Sequence, residues 1–96
     1  MKPKKHKKYY PETEKIWYEE YLIGSKLHRE GGPAIARYCF KGKVRYEYYY
    51  IDGKQHREDG PAYIYYDDSG NILQEHYYID GKMLSDGEWA DYQLYK

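Results

Sequence analysis

One spelling recurs along this chain at a fixed interval of 28 positions, and no other feature restricts the fold as strongly. Ile16, Val44 and Ile72 superpose, as do Glu19, Glu47 and Glu75. Tyr21, Tyr49 and Tyr77 follow, then Ile23, Ile51 and Ile79, then Lys26, Lys54 and Lys82. His28-Arg29-Glu30 falls on His56-Arg57-Glu58, and Gly32-Pro33-Ala34 on Gly60-Pro61-Ala62. The third copy departs after Lys82, where Met83-Leu84-Ser85-Asp86 replaces Gln55-His56-Arg57-Glu58. A unit of this kind cannot bury its apolar face alone, so copies stack, and the terminal ones are expected to be atypical.

Each copy reads as a hairpin. Ile16–Ile23, Val44–Ile51 and Ile72–Ile79 are rich in β-branched and aromatic residues and run into a turn signal. Asp52-Gly53 and Asp80-Gly81 suit two-residue type I′ turns, and Gly24-Ser25 is expected to turn more loosely. A short polar strand comes next, then a second turn at Gly-Pro, then a further strand at Ala34–Phe40 or Ala62–Tyr66. Trp89–Tyr95 is expected to be a last strand, with a short helix as the alternative. The expected fold is all-β: a single-layer antiparallel meander of three ~28-residue hairpin repeats, the last incomplete.

Composition fits a thin sheet. Sixteen of the 96 residues are Tyr, and side chains on both parities of the strands are aromatic. A Tyr ring packs while its hydroxyl reaches water or a partner. Disordered chains lack such residues.

Residues 1–10 hold Lys2, Lys4, Lys5, Lys7 and Lys8 and no acid, whereas the remainder has 11 basic and 16 acidic side chains. Residues 1–14 are expected to be a basic, disordered arm before a single domain at 15–96. One cysteine, Cys39, excludes an intrachain disulfide. No apolar run approaches the roughly 18 residues of a membrane span, and no apolar segment follows the charged start as in a secretory signal. A soluble cytoplasmic protein is the expectation.

The Tyr-Ile-Asp-Gly-Lys-x-His-Arg-Glu-x-Gly-Pro-Ala stretch resembles a MORN-type repeat in a variant, HREDGPA-containing form. Tyr50, Asp52, Gly53, Lys54 and His56 fit its motif, as do Tyr78, Asp80, Gly81 and Lys82. Gly24 and Ser25 depart from it, and Arg29 and Arg57 stand where the usual unit has Gly. The resemblance covers about residues 16–92. It implies an elongated single-layer sheet that binds proteins, or lipid in some members, with no catalytic chemistry. Similar sequences occur in phage and large-virus genomes, which suggests a small inhibitor or adaptor acting in a host cytoplasm.

Three constellations are candidates for chemistry. His28-Arg29-Glu30 and His56-Arg57-Glu58 each offer a base and a carboxylate. A motif written twice in register is more simply a packing device than two active sites. His28, His56 and His76 lack the close ligand pairs of a zinc site, so no metal or other cofactor is expected. Glu19, Glu47 and Glu75 would repel as a ladder, so each is expected to pair with a Lys or Arg, with Arg29 and Arg57 of neighbouring hairpins the nearest kind of partner.

The expected function is non-catalytic protein binding through the two triplets and through Tyr46, Tyr48, Tyr50, Tyr63 and Tyr65. A homodimer through a sheet edge or the Tyr face is compatible with this. The alternative is nucleic-acid binding, with bases on the Tyr face and phosphates along Lys2, Lys4, Lys5, Lys7 and Lys8.

Overall fold

Two-residue turns set the register from which the sheet is built. Asp52 and Gly53 have φ of 50° and 81°, and Asp80 and Gly81 have 50° and 83°, the double positive φ of a type I′ turn. Ile51 pairs with Lys54 and Ile79 with Lys82 across these turns. The first copy closes as tightly, with Ile23 on Lys26, contrary to the looser turn expected there. Only Gly24 takes positive φ, and a Gly in the first central position meets the requirement of a type II′ turn.

The computed structural model describes all 96 residues. Ten strands and one helix follow in order: β1 (Lys4–Tyr9), β2 (Ile16–Ile23), β3 (Lys26–Leu27), β4 (Ile35–Tyr38), β5 (Val44–Tyr48), β6 (Tyr50–Ile51), β7 (Lys54–Gln55), β8 (Tyr63–Tyr66), β9 (Ile72–Ile79), β10 (Lys82–Leu84) and α1 (Asp86–Tyr95). The main sheet runs β1-β2-β4-β5-β8-β9-β10, antiparallel throughout, with β3 beside β2 and β6 beside β7. The molecule measures 49 × 35 × 17 Å, a plate one sheet thick. No helix is long and apolar enough to cross a membrane.

The register sorts the side chains into rows. One row reads Glu19, Ala36, Glu47, Ile64, Glu75 across β2, β4, β5, β8 and β9. The flanking rows read Tyr18, Arg37, Tyr46, Tyr65, Gln74 and Glu20, Ile35, Tyr48, Tyr63, His76. Neighbouring rows project to opposite faces, giving a glutamate face and a tyrosine face. Ala34, Ala36, Ala62 and Ile64, all of the glutamate-face parity, are the only buried residues. Three bulges interrupt the ladder, with Trp17, Arg45 and Leu73 as the extra residues, again 28 positions apart. A bulge bends and twists its strand, so the curvature recurs with the sequence.

Of the pairing expected for these glutamates, Glu19 takes a lysine, Lys5 at 3.0 Å, but no Glu–Arg pair forms across the hairpins. Tyr38 donates its hydroxyl to Glu19 at 2.6 Å, and Tyr66 to Glu47 at 2.5 Å. A phenol reaches across one strand spacing and stays apolar along its length, which suits a half-buried site better than a guanidinium. Arg29 and Arg57 instead lie on the rings of Tyr21 and Tyr49, each 4.1 Å from the ring centre.

Residues 4–9 also differ from expectation: they are an edge strand rather than a disordered arm. Lys5 bonds Glu19 at 3.0 Å, and Lys8 sits 4.9 Å over the ring of Tyr18. Tyr10 donates to the Tyr38 carbonyl at 3.0 Å and meets Phe40 edge-on. The lysine stems cover rings while their ammonium groups stay wet, so a segment of poor strand propensity is held by tertiary contacts. A run of lysines also hinders a second β1 from pairing there.

Residues 86–95 form a helix, the alternative reading for this segment. Ser85 caps the Glu88 N–H and Glu88 caps the Ser85 N–H, a complete capping box. The first two copies carry Gly-Pro at the corresponding turn; the third carries Glu88-Trp89, which a helix accepts.

Removing the phenol hydroxyl tests the carboxylate row. Tyr66→Phe strands the half-buried Glu47 carboxylate and is expected to cost about 1–3 kcal/mol in urea unfolding.

The same phenols set an alkaline limit. Burial, then the bond to Glu19 or Glu47, holds Tyr38 and Tyr66 well above the ordinary phenol range. Burial also raises Tyr48, Tyr49 and Tyr63. A raised phenol stabilises the fold fully below its unfolded pKa, about 10, and the contribution is lost as pH climbs toward the folded value. The tyrosinate absorbance of these five phenols is therefore expected to appear together with unfolding, above pH ~10. Full tyrosinate absorbance from all 16 tyrosines with the far-UV circular dichroism unchanged would contradict this.

Candidate functional site

The two His-Arg-Glu triplets lie at the seams between copies, where each residue type has a structural task. His28 Nδ1 accepts from the Asp52 N–H at 2.9 Å, and His56 Nδ1 accepts from the Asp80 N–H at 2.9 Å. Each His thus satisfies the first central residue of the next copy's turn. His56 Nε2 lies 3.1 Å from Glu58, so both its ring nitrogens are engaged. Backbone bonds run alongside: Arg29 N–H to the Tyr50 carbonyl, Gly53 N–H to the Leu27 carbonyl, and the same pair 28 residues later.

The arginines fold back over their own copy. Arg57 bonds the Pro61 carbonyl at 3.1 Å and Asp59 at 3.0 Å, while Arg29 bonds the Pro33 carbonyl at 3.3 Å. Gly32 and Gly60 make room, because a Cβ on either would sit 2.8 Å from the guanidinium carbon. In the third copy Trp89 replaces the guanidinium, stacking on Tyr77 at 4.4 Å. Tyr21, Tyr49 and Tyr77 are therefore each covered, twice by Arg and once by Trp. Between the two loops lies an open groove of about 640 Å³, lined by Arg29, Glu30, Tyr49, His56, Arg57 and Glu58 among others.

The opposite face carries a shelf of rings. Tyr46 stacks on Tyr65 at 4.7 Å and lies 6.3 Å from Tyr48. Tyr48 meets Tyr63 at 5.2 Å, and Tyr63 stacks on His76 at 5.4 Å. Arg37 bridges Tyr46 and Trp17, 5.5 and 5.6 Å from their ring centres. Tyr50 shares the parity of Tyr46 and Tyr48 and continues this face. The hydroxyls of Tyr46, Tyr48, Tyr63 and Tyr65 make no hydrogen bond within the chain, unlike those of Tyr18, Tyr38 and Tyr66. Burial, helped by the bond to Glu20, pushes Tyr18 up to about 12.

The structure thus separates the expected site residues. The triplets line one face and the tyrosines form the other. The lysines divide as well: Lys5 is committed to Glu19, Lys8 lies over Trp17 and Tyr18, and Lys2 precedes the strand. Lys4 and Lys7 pair in register with Leu22 and Glu19. No group of three or more His, Cys, Asp or Glu gathers around a point where a metal could bind.

Arg37, Trp17 and His76 belong to the ring shelf and were absent from the expected site. The alternation of β4 and β9 points to Arg37 and His76. Trp17 joins them only through its bulge, which strict alternation does not reveal. Compared with known proteins, the chain matches no family model, no curated protein and no solved structure.

The seam predicts a specific non-additivity. Gly60 has no positive φ, so its backbone accepts alanine, and only the contact with Arg57 opposes the substitution. Gly60→Ala is expected to lose about 1–2 kcal/mol by overpacking. In an Arg57→Ala background it should lose almost nothing more, a coupling readable in a double-mutant cycle by urea unfolding. Additive losses would show that the two residues do not meet.

Proposed function

We propose that the chain is a non-catalytic protein-binding repeat module that engages its partner through the tyrosine face. The observation that carries this is the shelf of Tyr46, Tyr48, Tyr63 and Tyr65, whose half-exposed rings lie in contact and whose hydroxyls are unused. Rings of this kind supply large, rigid contact area and a polar tip, and Trp17 and Arg37 add the two other residue types most often found at binding hot spots. The glutamate face offers less, since its loops are occupied in joining the copies. The resemblance to MORN-type repeats agrees with this reading. It suggests a small inhibitor or adaptor of phage type acting on a host protein in the cytoplasm.

A second reading has its own support. Lys8 and Arg37 stand on the tyrosine face, beside rings on which bases could stack. Against it, the chain beyond residue 10 carries 16 acids and 11 bases, which opposes a polyanion.

Retention from a bacterial lysate, with and without nuclease, separates the two. The expected result is a stoichiometric protein that survives nuclease and is lost with Tyr46→Thr/Tyr65→Thr, a variant that keeps strand propensity. Circular dichroism confirms its fold. Material that disappears after nuclease would favour nucleic acid, and retention unaffected by the variant would place binding elsewhere.

A further inference from the structure

The sheet ends differently at its two edges, and the two ends fit each other. On the C-terminal side, β10 covers β9 only at Tyr77, Tyr78 and Ile79. From Ile72 to His76, β9 pairs with β8 alone, and these five residues are exposed. In the inner copies the corresponding stretch is covered: β4 lies on β2 through Tyr18–Arg37, Glu19–Ala36 and Glu20–Ile35, and β8 lies on β5 likewise. The segment that would do this for β9 is in α1. Glu75 therefore lacks the phenol that Tyr38 gives Glu19 and Tyr66 gives Glu47. The residue at that place in the repeat is Leu94, which is 74% exposed.

On the N-terminal side, β1 holds the slot on β2 that β4 holds on β5 and β8 holds on β9. Lys7 stands opposite Glu19 as Ala36 stands opposite Glu47 and Ile64 opposite Glu75. Tyr9 stands opposite Ile16 as Tyr38 stands opposite Val44 and Tyr66 opposite Ile72. Tyr9 is thus the first member of the Tyr38–Tyr66 series. Those two each reach back to the Glu of the preceding long strand. Nothing in the chain precedes β1 in the sheet, and Tyr9 is 48% exposed with no bond to its hydroxyl.

We infer that β1 of one molecule docks on the open edge of β9 in a second copy, head to tail, with the Tyr9 hydroxyl donating to Glu75. This junction repeats the internal seam between β4 and β2. It places Lys7 opposite the same carboxylate. Charge supports the pairing: residues 1–10 hold five lysines and no acid, and residues 72–95 hold Glu75, Asp80, Asp86, Glu88 and Asp91 against Lys82. Pairing β1 with another β1 would set lysine against lysine. A head-to-tail contact leaves a free edge at each end, so growth continues past the dimer. The junction uses the sheet edges and leaves the tyrosine face open.

Sedimentation velocity over a concentration series tests this. The wild-type mass is expected to rise with concentration beyond that of a dimer. Tyr9→Glu and Glu75→Lys each place like charges in the junction, and each variant alone is expected to stay monomeric. Neither side chain makes a hydrogen bond or ion pair within the chain, so the fold is spared. Mixed in equal amounts, the two variants should associate, because Glu75→Lys chains keep an intact β1 and Tyr9→Glu chains an intact β9. That recovery also shows that both variants are folded. A wild type that stays monomeric into the millimolar range would overturn the inference. So would a mass that stops at the dimer, or a mixture no heavier than its components.

Discussion

Everything in this fold rests on a carboxylate placed on the buried side of a sheet that has no second layer. Glu19 and Glu47 stand in the row that also contains Ala36 and Ile64, two of the four buried residues. Burial alone would favour the neutral acid. At Glu19 the hydrogen bonds from Tyr38 and Lys5 outweigh it and hold the carboxyl below its ordinary range. The donor comes from the next strand, so satisfying the charge also fixes which strands are neighbours and in what register. In a thick core this selection is made by shape. In a plate 17 Å deep it is made by two phenols, Tyr38 and Tyr66.

The seam between copies applies the same economy to the backbone. A type I′ turn presents an N–H that no strand partner can take, and a histidine from the preceding copy takes it. The arginine beside that histidine covers a tyrosine and holds a proline carbonyl, and a glycine leaves it room. Histidine, arginine, glycine and proline in this order are residue types that also occur in active sites. The geometry gives each a place in a joint, and the triplet ends where the joints end. At the third copy a helix and Trp89 close the structure.

Much of this was readable in the sequence because the repeat forces like segments into like structures. IWYEEYLI has a helical reading of its own, and only its alignment with VRYEYYYI and ILQEHYYI makes it a strand. The Asp-Gly turns were equally plain. What was missed lies outside the period or depends on register. The segment KKHKKY carries no strand signal, and it is held by Glu19 and by the rings of Tyr18 and Tyr21, far along the chain. The spacing of Ser85 and Glu88, a Ser followed three residues later by Glu, is the signal that favours the helix over the strand carried over from the first two copies. The Tyr–Glu bonds span 19 residues and join neighbouring strands, β4 to β2 and β8 to β5, a partnership that no local pattern gives. Trp17 reaches the ring shelf through a bulge, and no alternation rule places a bulge.

The bulges carry a consequence of their own. Trp17, Arg45 and Leu73 distribute the bend evenly, so each copy turns its successor by the same operation. A structure generated by one operation has no preferred length. Duplicating a 28-residue window within residues 16–71 in frame would add two strands to the main sheet, roughly 10 Å at the usual strand spacing, and would leave both ends as they are. The gene for such a chain behaves as a ruler whose graduations are copied rather than redesigned. Its reach can change in a single recombination event, while every seam keeps the chemistry it already had.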